Sequence, residues 1–112
     1  MIKVVNKKWY KGKGEYIGRP SVLGNPFSHR PSKFKVKLVP DATTAVSSYW
    51  SWLRNEYKQG GKVKDELLRL AKLYKETGEL TLICHCKQNE EDLATPCHGD
   101  VIKYAIERIT DV

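Results

Sequence analysis

Apolar and polar residues follow two different periods along the chain, which predicts a mixture of strands and helices. Ile2 to Val5 is a short β-rich run. Phe34 to Val39 alternates apolar residues with lysines, which is typical of a half-buried strand at the edge of a sheet. Leu80 to Cys84 is almost entirely apolar, as expected of a buried strand.

Three longer segments carry apolar residues at helical spacing. The first helix is predicted to begin after Asp41, a suitable N-cap, and to end at Gly60-Gly61. The second is closed by Gly78, and the third starts near Cys97. The core-facing stripe of the first helix is predicted to comprise Ala42, Ala45, Val46, Tyr49, Trp50, Leu53 and Tyr57.

The order of the elements is strand, long loop, strand, helix, helix, strand, helix. Strands separated by helices predict an α/β fold, with one domain over residues 1–112 and a small parallel or mixed sheet flanked by helices in a Rossmann-like layout. Ligands of such sheets bind beyond the carboxyl ends of the strands. If the first and last strands run parallel, the loop at residues 18–27 and the segment from Cys86 to Gly99 share that rim.

Positive charge is concentrated in the first third of this basic chain. The net charge is +7, yet residues 1–40 hold ten Lys/Arg and one acid, whereas residues 41–112 hold ten Lys/Arg and twelve acids. The asymmetry favours a phosphate-bearing partner, either a nucleotide or a nucleic acid. No apolar run approaches the roughly 20 residues of a membrane span, and the start lacks a signal peptide, so we expect a cytoplasmic protein.

Between the first two predicted strands, the segment from Gly18 to Pro26 contains two glycines and two prolines within nine residues, which excludes regular structure there. Arginine offers a planar guanidinium for a phosphate or carboxylate. Glycines permit backbone angles that other residues avoid, and short polar side chains bind a ligand or cap the loop. The residues predicted to bind a ligand are Gly18, Arg19, Ser21, Gly24 and Asn25.

Cysteines and histidines cluster around the end of the last strand and the start of the last helix. Two cysteines separated by one residue on a strand point to the same face. Three thiolates and one imidazole form a tetrahedral zinc set. One candidate cofactor is therefore zinc, with Cys84, Cys86, Cys97 and His98 as its ligands.

A second interpretation of the same segment needs no metal. The start of a helix binds anions and favours thiolates, so Cys97 is a candidate reactive thiol and His98 a proton donor or phosphate ligand. Asp100 suits a ribose hydroxyl or a general base, as in nucleoside-handling sites. The candidate catalytic residues are Asp100 and His98.

Three motifs resemble a known family: Tyr-Ile-Gly-Arg-Pro-Ser-Val-Leu-Gly-Asn-Pro-Phe at 16–27, Ala-Val-x-x-Tyr-x-x-Trp-Leu at 45–53, and Leu-x-Cys-x-Cys with Cys-His-Gly-Asp-Val-Ile within 82–102. In order and over nearly the whole chain they are similar to the phage and bacterial family called domain of unknown function 4326. The resemblance implies a phage-type protein, which would place it in the host cytoplasm. It implies no settled activity.

The leading hypothesis is a nucleotide- or nucleoside-binding protein that acts on a base–sugar bond or a phosphate-containing ligand. Its site would join the 18–27 loop to the helix start at 97–100. The alternative is a non-enzymatic module, stapled by zinc or by core packing, that binds nucleic acid or a host protein through its basic N-terminal third. Whether any reaction is catalysed stays open at this point.

Overall fold

Five strands and three helices occupy the part of the chain that the computed structural model describes, which is residues 2–19, 21–28, 36–85 and 97–110. The elements in chain order are β1 (Ile2–Asn6), β2 (Glu15–Tyr16), β3 (Phe27–Ser28), β4 (Lys37–Leu38), α1 (Ala42–Gln59), α2 (Lys62–Thr77), β5 (Leu80–Cys84) and α3 (His98–Thr110).

The main sheet is parallel throughout and has the strand order β1-β5-β2. Ile2 pairs with Leu80 and Asn6 with Cys84, so β1 and β5 are in register over their full length. On the other side of β5, Tyr16 pairs with Ile83. The predicted α/β fold with a small sheet packed against helices is therefore confirmed, and the sheet is parallel rather than mixed.

One face of β5 forms the centre of the core. Its side chains alternate between buried and half-buried, with Leu80, Leu82 and Cys84 buried. Helix α2 packs on this face through its buried apolar side chains, and Arg69 on α2 also forms an ion pair with Glu15 on β2. The core also includes Ile2, Ile17, Leu23, Tyr49, Leu53, Leu67, Leu70, Ile102 and Ile106.

The helix boundaries follow the predicted signals. Asp41 is the N-cap of α1, and its carboxylate accepts a hydrogen bond of 2.7 Å from the Thr44 amide. Gly60 follows the end of α1. Gly78 ends α2 in the left-handed conformation, with φ of 74°, which glycine adopts without steric cost. Among the described residues, none of the helices combines the length and apolar character that a bilayer span requires.

Two predictions about exposure are wrong. Leu38 is 61% exposed, because β4 pairs only with the short β3 in a separate two-stranded sheet. Trp50 is 41% exposed rather than buried, whereas Trp52 packs against the core beside Tyr49. Part of the predicted strand at 34–39 lies outside the described residues, and β2 was not predicted because its two residues are too few to show a period.

Candidate functional site

The three strands of the main sheet end at one edge. Asn6, Tyr16 and Cys84 are their last residues, and the parallel pairing places all three at the same side of the sheet. The chain leaves this edge at Ile17, directly after β2, and α3 begins beside it. We call this edge the rim.

His98 joins the two segments that were predicted to share the rim. Its Nε2 lies 2.7 Å from the backbone oxygen of Ile17, and its ring packs edge-on against Tyr49 at a centroid distance of 5.2 Å. The Arg19 backbone oxygen accepts a hydrogen bond of 2.7 Å from the hydroxyl of Tyr16, the last residue of β2, so Arg19 lies at the same edge. The structure thus brings Arg19 and His98 to one rim, with Cys97 buried in the core directly before His98 in the chain.

The imidazole of His98 is a buried, neutral group. Only 6% of the residue is exposed, and burial lowers the pKa of His98, although the hydrogen bond to Ile17 opposes this effect. Because Nε2 donates to the Ile17 oxygen, the proton of the neutral ring resides on that nitrogen. This geometry indicates that His98 holds the loop in place. It does not favour direct contact between His98 and a ligand.

The loop after β2 is fixed to α1 by buried side chains. The Tyr49 hydroxyl donates to the Leu23 oxygen at 2.7 Å. Asn25 is buried, donates to the Ala45 oxygen at 3.2 Å, and accepts from the Phe27 amide at 2.9 Å. Both functional groups of the Asn25 side chain are therefore engaged within the protein, which favours a structural role for this predicted ligand-binding residue.

The predicted reason for the two loop glycines is wrong. Neither Gly18 nor Gly24 has a positive φ; in the described part of the chain that conformation occurs at Gly60, Gly61 and Gly78. Gly24 is needed instead for close approach, since a Cβ there would lie 3.0 Å from the Arg19 Cα. Consecutive turns form where Ser21 N donates to the Gly18 oxygen and Gly24 N to the Ser21 oxygen.

Tyr16 is the centre of a polar cluster at the rim. Its hydroxyl donates to the Arg19 oxygen at 2.7 Å and lies 3.1 Å from His85 Nε2. Because the hydroxyl hydrogen is used, His85 is the donor in the second contact. The Lys7 ammonium lies 5.2 Å from the centre of the Tyr16 ring. We call Lys7, Tyr16, Arg19 and His85 the rim cluster.

Sequence reasoning found only Arg19 among these four residues. Lys7, Tyr16 and His85 come from three separate segments, and nothing in their local sequence relates them. The signal that was present is the position of each residue at or just after the end of a strand, which became usable only once the strand order was known.

Two further predicted residues flank the rim cluster. Asp100 is exposed in the first turn of α3, and its charge raises the pKa of His98 while burial lowers it. The Ser21 hydroxyl is buried and has no hydrogen-bond partner among the described residues. A buried hydroxyl without a partner is unfavourable in the unliganded protein, which is a reason to look for a ligand at this loop.

The cysteines lie below the rim, in the core. The sulfur atoms of Cys84 and Cys97 are 3.2 Å apart, and the Cys97 sulfur is 4.0 Å from His98 Nδ1. Cys86, the remaining predicted zinc ligand, lies outside the described residues. Within the described ranges, no three His, Cys, Asp or Glu residues form a group that could hold a metal ion.

A separate apolar groove of about 530 Å³ lies between α1 and α3. Trp50 and Tyr104 stand on its sides with their rings 4.9 Å apart, and Leu53 and Val101 line it. Arg54, Lys58 and Arg108 also line it. None of the residues predicted to bind a ligand contributes to this groove.

Comparison with known proteins gives one result. No curated protein and no solved structure shows significant similarity to the chain. The family model described as Domain of unknown function (DUF4326) matches residues 2–108, which is nearly the whole chain and includes the strands, the first two helices and most of α3. The protein therefore belongs to the domain of unknown function 4326 family.

Proposed function

We propose that the protein binds a nucleotide or nucleoside-type ligand through its phosphate at the rim of the main sheet. The observation that carries the proposal is the rim cluster, in which the Lys7 ammonium and the His85 imidazole contact Tyr16 and the Tyr16 hydroxyl binds the backbone of Arg19, at the carboxyl ends of parallel strands. This is the edge at which parallel α/β sheets usually bind their ligands.

Charge supports a phosphate as the group recognised. Lys7 is exposed and Arg19 is half-exposed, so both cations are accessible to a ligand. The first 40 residues carry a single acid, Glu15, and its carboxylate is paired with Arg69. A guanidinium offers paired donors to phosphate oxygens, and an ammonium adds a point charge.

Asp100 supports a sugar beside the phosphate. A carboxylate next to a phosphate site is unfavourable for the phosphate itself, but it accepts hydrogen bonds from ribose hydroxyls. Its place in the first turn of α3, next to the segment that contacts Ile17, puts it on the same edge as the rim cluster. We assign phosphate binding to Arg19 and Lys7 and sugar binding to Asp100.

Isothermal titration calorimetry with AMP, ADP, a cyclic nucleotide, ADP-ribose and inorganic phosphate tests this assignment. We expect Arg19→Ala to weaken binding of AMP and of inorganic phosphate by about tenfold or more, since a charge-assisted hydrogen bond contributes roughly 1.5–3 kcal/mol. We expect Asp100→Asn to weaken only AMP. Lys75→Ala is the control, because Lys75 is an exposed cation in the last turn of α2, which leads to the opposite end of β5.

Absence of binding for every ligand at millimolar concentration would refute the proposal. Equal losses from Arg19→Ala and Lys75→Ala would show that only net charge matters, and would also count against a built site. If Asp100→Asn strengthened AMP binding, the assignment of the sugar to Asp100 would be wrong.

The chemistry that such a site would support is cleavage or transfer at the base–sugar bond. Asp100 is the better candidate for a general base, because it is exposed at the rim whereas His98 is buried and its imidazole is engaged by Ile17. Chromatographic detection of released base after incubation with nucleotides tests for the reaction. Release that Asp100→Asn abolishes would support it, and no release by the wild type would leave binding without catalysis.

A nucleic-acid or protein partner is the competing function, and the basic charge of the first 40 residues favours it. Duplex binding through phosphates weakens steeply with salt, with a log–log slope of about −0.9 per phosphate contacted. Retention of the protein on DNA at about 50 mM salt, combined with no calorimetric signal for nucleotides, would favour this competing function.

A further inference from the structure

We propose that Cys84 and Cys97 form a thiol–disulfide exchange site, in which a low-molecular-weight disulfide of the glutathione class oxidises the pair to an intramolecular disulfide. The proposal does not depend on nucleotide binding at the rim. It rests on the position of the two sulfur atoms, on their surroundings, and on the difference between the two thiols.

The two sulfurs are already adjacent. They lie 3.2 Å apart, and neither cysteine is in a disulfide. A disulfide requires a separation of about 2.05 Å, so the sulfurs must approach by roughly 1 Å. Cys84 is the last residue of β5 and Cys97 directly precedes α3, so the bond would join two elements that are already packed together.

The two thiols have different surroundings, and this difference indicates which one attacks the small disulfide and which one resolves the mixed disulfide. The Gly99 amide donates to the Cys97 sulfur at 3.3 Å, at the start of α3, where the helix dipole favours negative charge. Cys84 ends a strand in the core and is fully buried. The hydrogen bond from Gly99 therefore assigns the attack to the Cys97 sulfur, and Cys84 resolves the mixed disulfide.

The exchange is balanced in two steps. The Cys97 thiol loses its proton to water, and its sulfur attacks one sulfur of the small disulfide, which forms a mixed disulfide and releases one small thiolate. Cys84 then loses its proton to water, and its sulfur attacks the Cys97 sulfur, which releases the second small thiolate. Two protein thiols are oxidised, and one small disulfide is reduced to two thiols.

The burial of the two cysteines limits the rate of the exchange reaction. Cys84 is 0% and Cys97 1% exposed, so a small disulfide reaches them only when the start of α3 opens locally. The residues that follow the two cysteines, His85 and His98, both contact the segment from Tyr16 to Ile17. A disulfide between Cys84 and Cys97 would therefore join the end of β5 to the start of α3, and so would stabilise the rim that these two elements contact.

The experiment uses the full chain in glutathione buffers of increasing oxidised fraction, followed by acid quenching, alkylation in denaturant and intact-mass measurement. The reduced chain has three cysteines, so three alkyl groups are added. We expect the oxidised chain to add one alkyl group and to lose two hydrogen atoms. Digestion of unreduced protein with trypsin should then link the peptide that contains Cys84 to the peptide that contains Cys97.

Cys84 and Cys86 lie on the same tryptic peptide, so the digest alone does not show which of them is bonded to Cys97. The Cys86→Ser variant identifies the bonded cysteine. We expect this variant to form the disulfide to the same extent as the wild type and to retain no alkylatable thiol. Cys84→Ala should retain the two remaining thiols in reduced form. Its circular dichroism is measured alongside, since this substitution is in the core.

Failure of Cys86→Ser to oxidise in a buffer that oxidises the wild type would overturn the proposal, because the disulfide would then involve Cys86. Persistence of all three thiols in strongly oxidising buffer would overturn it as well. So would stoichiometric zinc in protein purified without chelator, if the thiols became oxidisable only after the zinc was removed. Cys86→Ser keeps the test decisive even if Cys84→Ala does not fold.

Discussion

The Nε2 atom of His98 lies 2.7 Å from the backbone oxygen of Ile17, and this contact fastens the start of α3 to the loop that leaves β2. Ile17 and His98 are 81 residues apart in the chain, yet they lie on the two sides of the rim. The contact is buried, so its strength depends on the protonation of the imidazole and on the fit of the groups around it.

The first prediction concerns the pH dependence of stability. Burial lowers the pKa of His98 in the folded protein below the ordinary value of 6.5. The unfolded chain therefore binds the proton first as the pH falls. The contribution of the neutral imidazole is fully present above pH 6.5 and declines below it, at up to about 1.4 kcal/mol per pH unit, until the pH is below the folded pKa.

Thermal unfolding between pH 8 and pH 5 measures this effect. We expect the wild type to lose stability in acid, and His98→Gln to be less stable at neutral pH with a weaker dependence on pH. His85→Gln is the control, because His85 is exposed. An unchanged pH dependence in His98→Gln would contradict the prediction.

The second prediction concerns the packing of α3 against the sheet. A Cβ on Gly99 would lie 2.6 Å from Val4 Cγ1 and 3.1 Å from Ile17 Cδ1, which is too close for either. We expect Gly99→Ala to destabilise the protein by about 1–3 kcal/mol, although alanine is the better helix former. Chemical denaturation provides the measurement.

Gly12→Ala is the matched control for Gly99→Ala. A Cβ on Gly12 would meet the exposed end of the Tyr10 side chain, which is able to move aside. We expect a change smaller than about 0.5 kcal/mol at this surface position. If both substitutions had the same effect, close packing at Gly99 would not be the cause.

The third prediction concerns Asn25, which anchors the loop to α1. Asn25→Asp keeps the oxygen that accepts from Phe27 but replaces the Nδ2 donor that binds Ala45. The buried carboxylate would face the carbonyl oxygen of Ala45, so we expect a loss of about 2–4 kcal/mol in the free energy of unfolding. Asn55→Asp on the exposed face of α1 should cost much less.

The fourth prediction concerns Tyr16 and rests on the proposed nucleotide site. Tyr16→Phe removes the hydroxyl that binds the Arg19 oxygen and His85. We expect AMP affinity to fall by about tenfold, because the rim cluster would lose the group that orients it. Tyr10→Phe also removes a single tyrosine hydroxyl, the one that donates to Lys13, and should leave the affinity unchanged. Equal AMP affinity in both variants would show that the Tyr16 hydroxyl does not contribute to the site.

The sequence by itself determined the local structure where one signal dominated. Asp41, whose side chain accepts from the Thr44 amide, specified the start of α1, and Gly78 specified the end of α2, because capping and left-handed backbone depend on a few adjacent residues. The apolar run at Leu80–Cys84 specified a buried strand for the same reason. Those elements in order were enough for the α/β class.

Tertiary structure decided what depends on residues far apart in the chain. The central position of β5, the orientation of Trp50 away from the core, and the meeting of Lys7, Tyr16 and His85 all follow from strand order and helix rotation. Local periodicity does not contain this information, since it shows which residues share a face and not which partner that face meets. The sequence therefore indicated a rim with Arg19 and His98, and only the packed chain showed that His98 is buried against Ile17 while Tyr16 lies at the centre of the polar cluster.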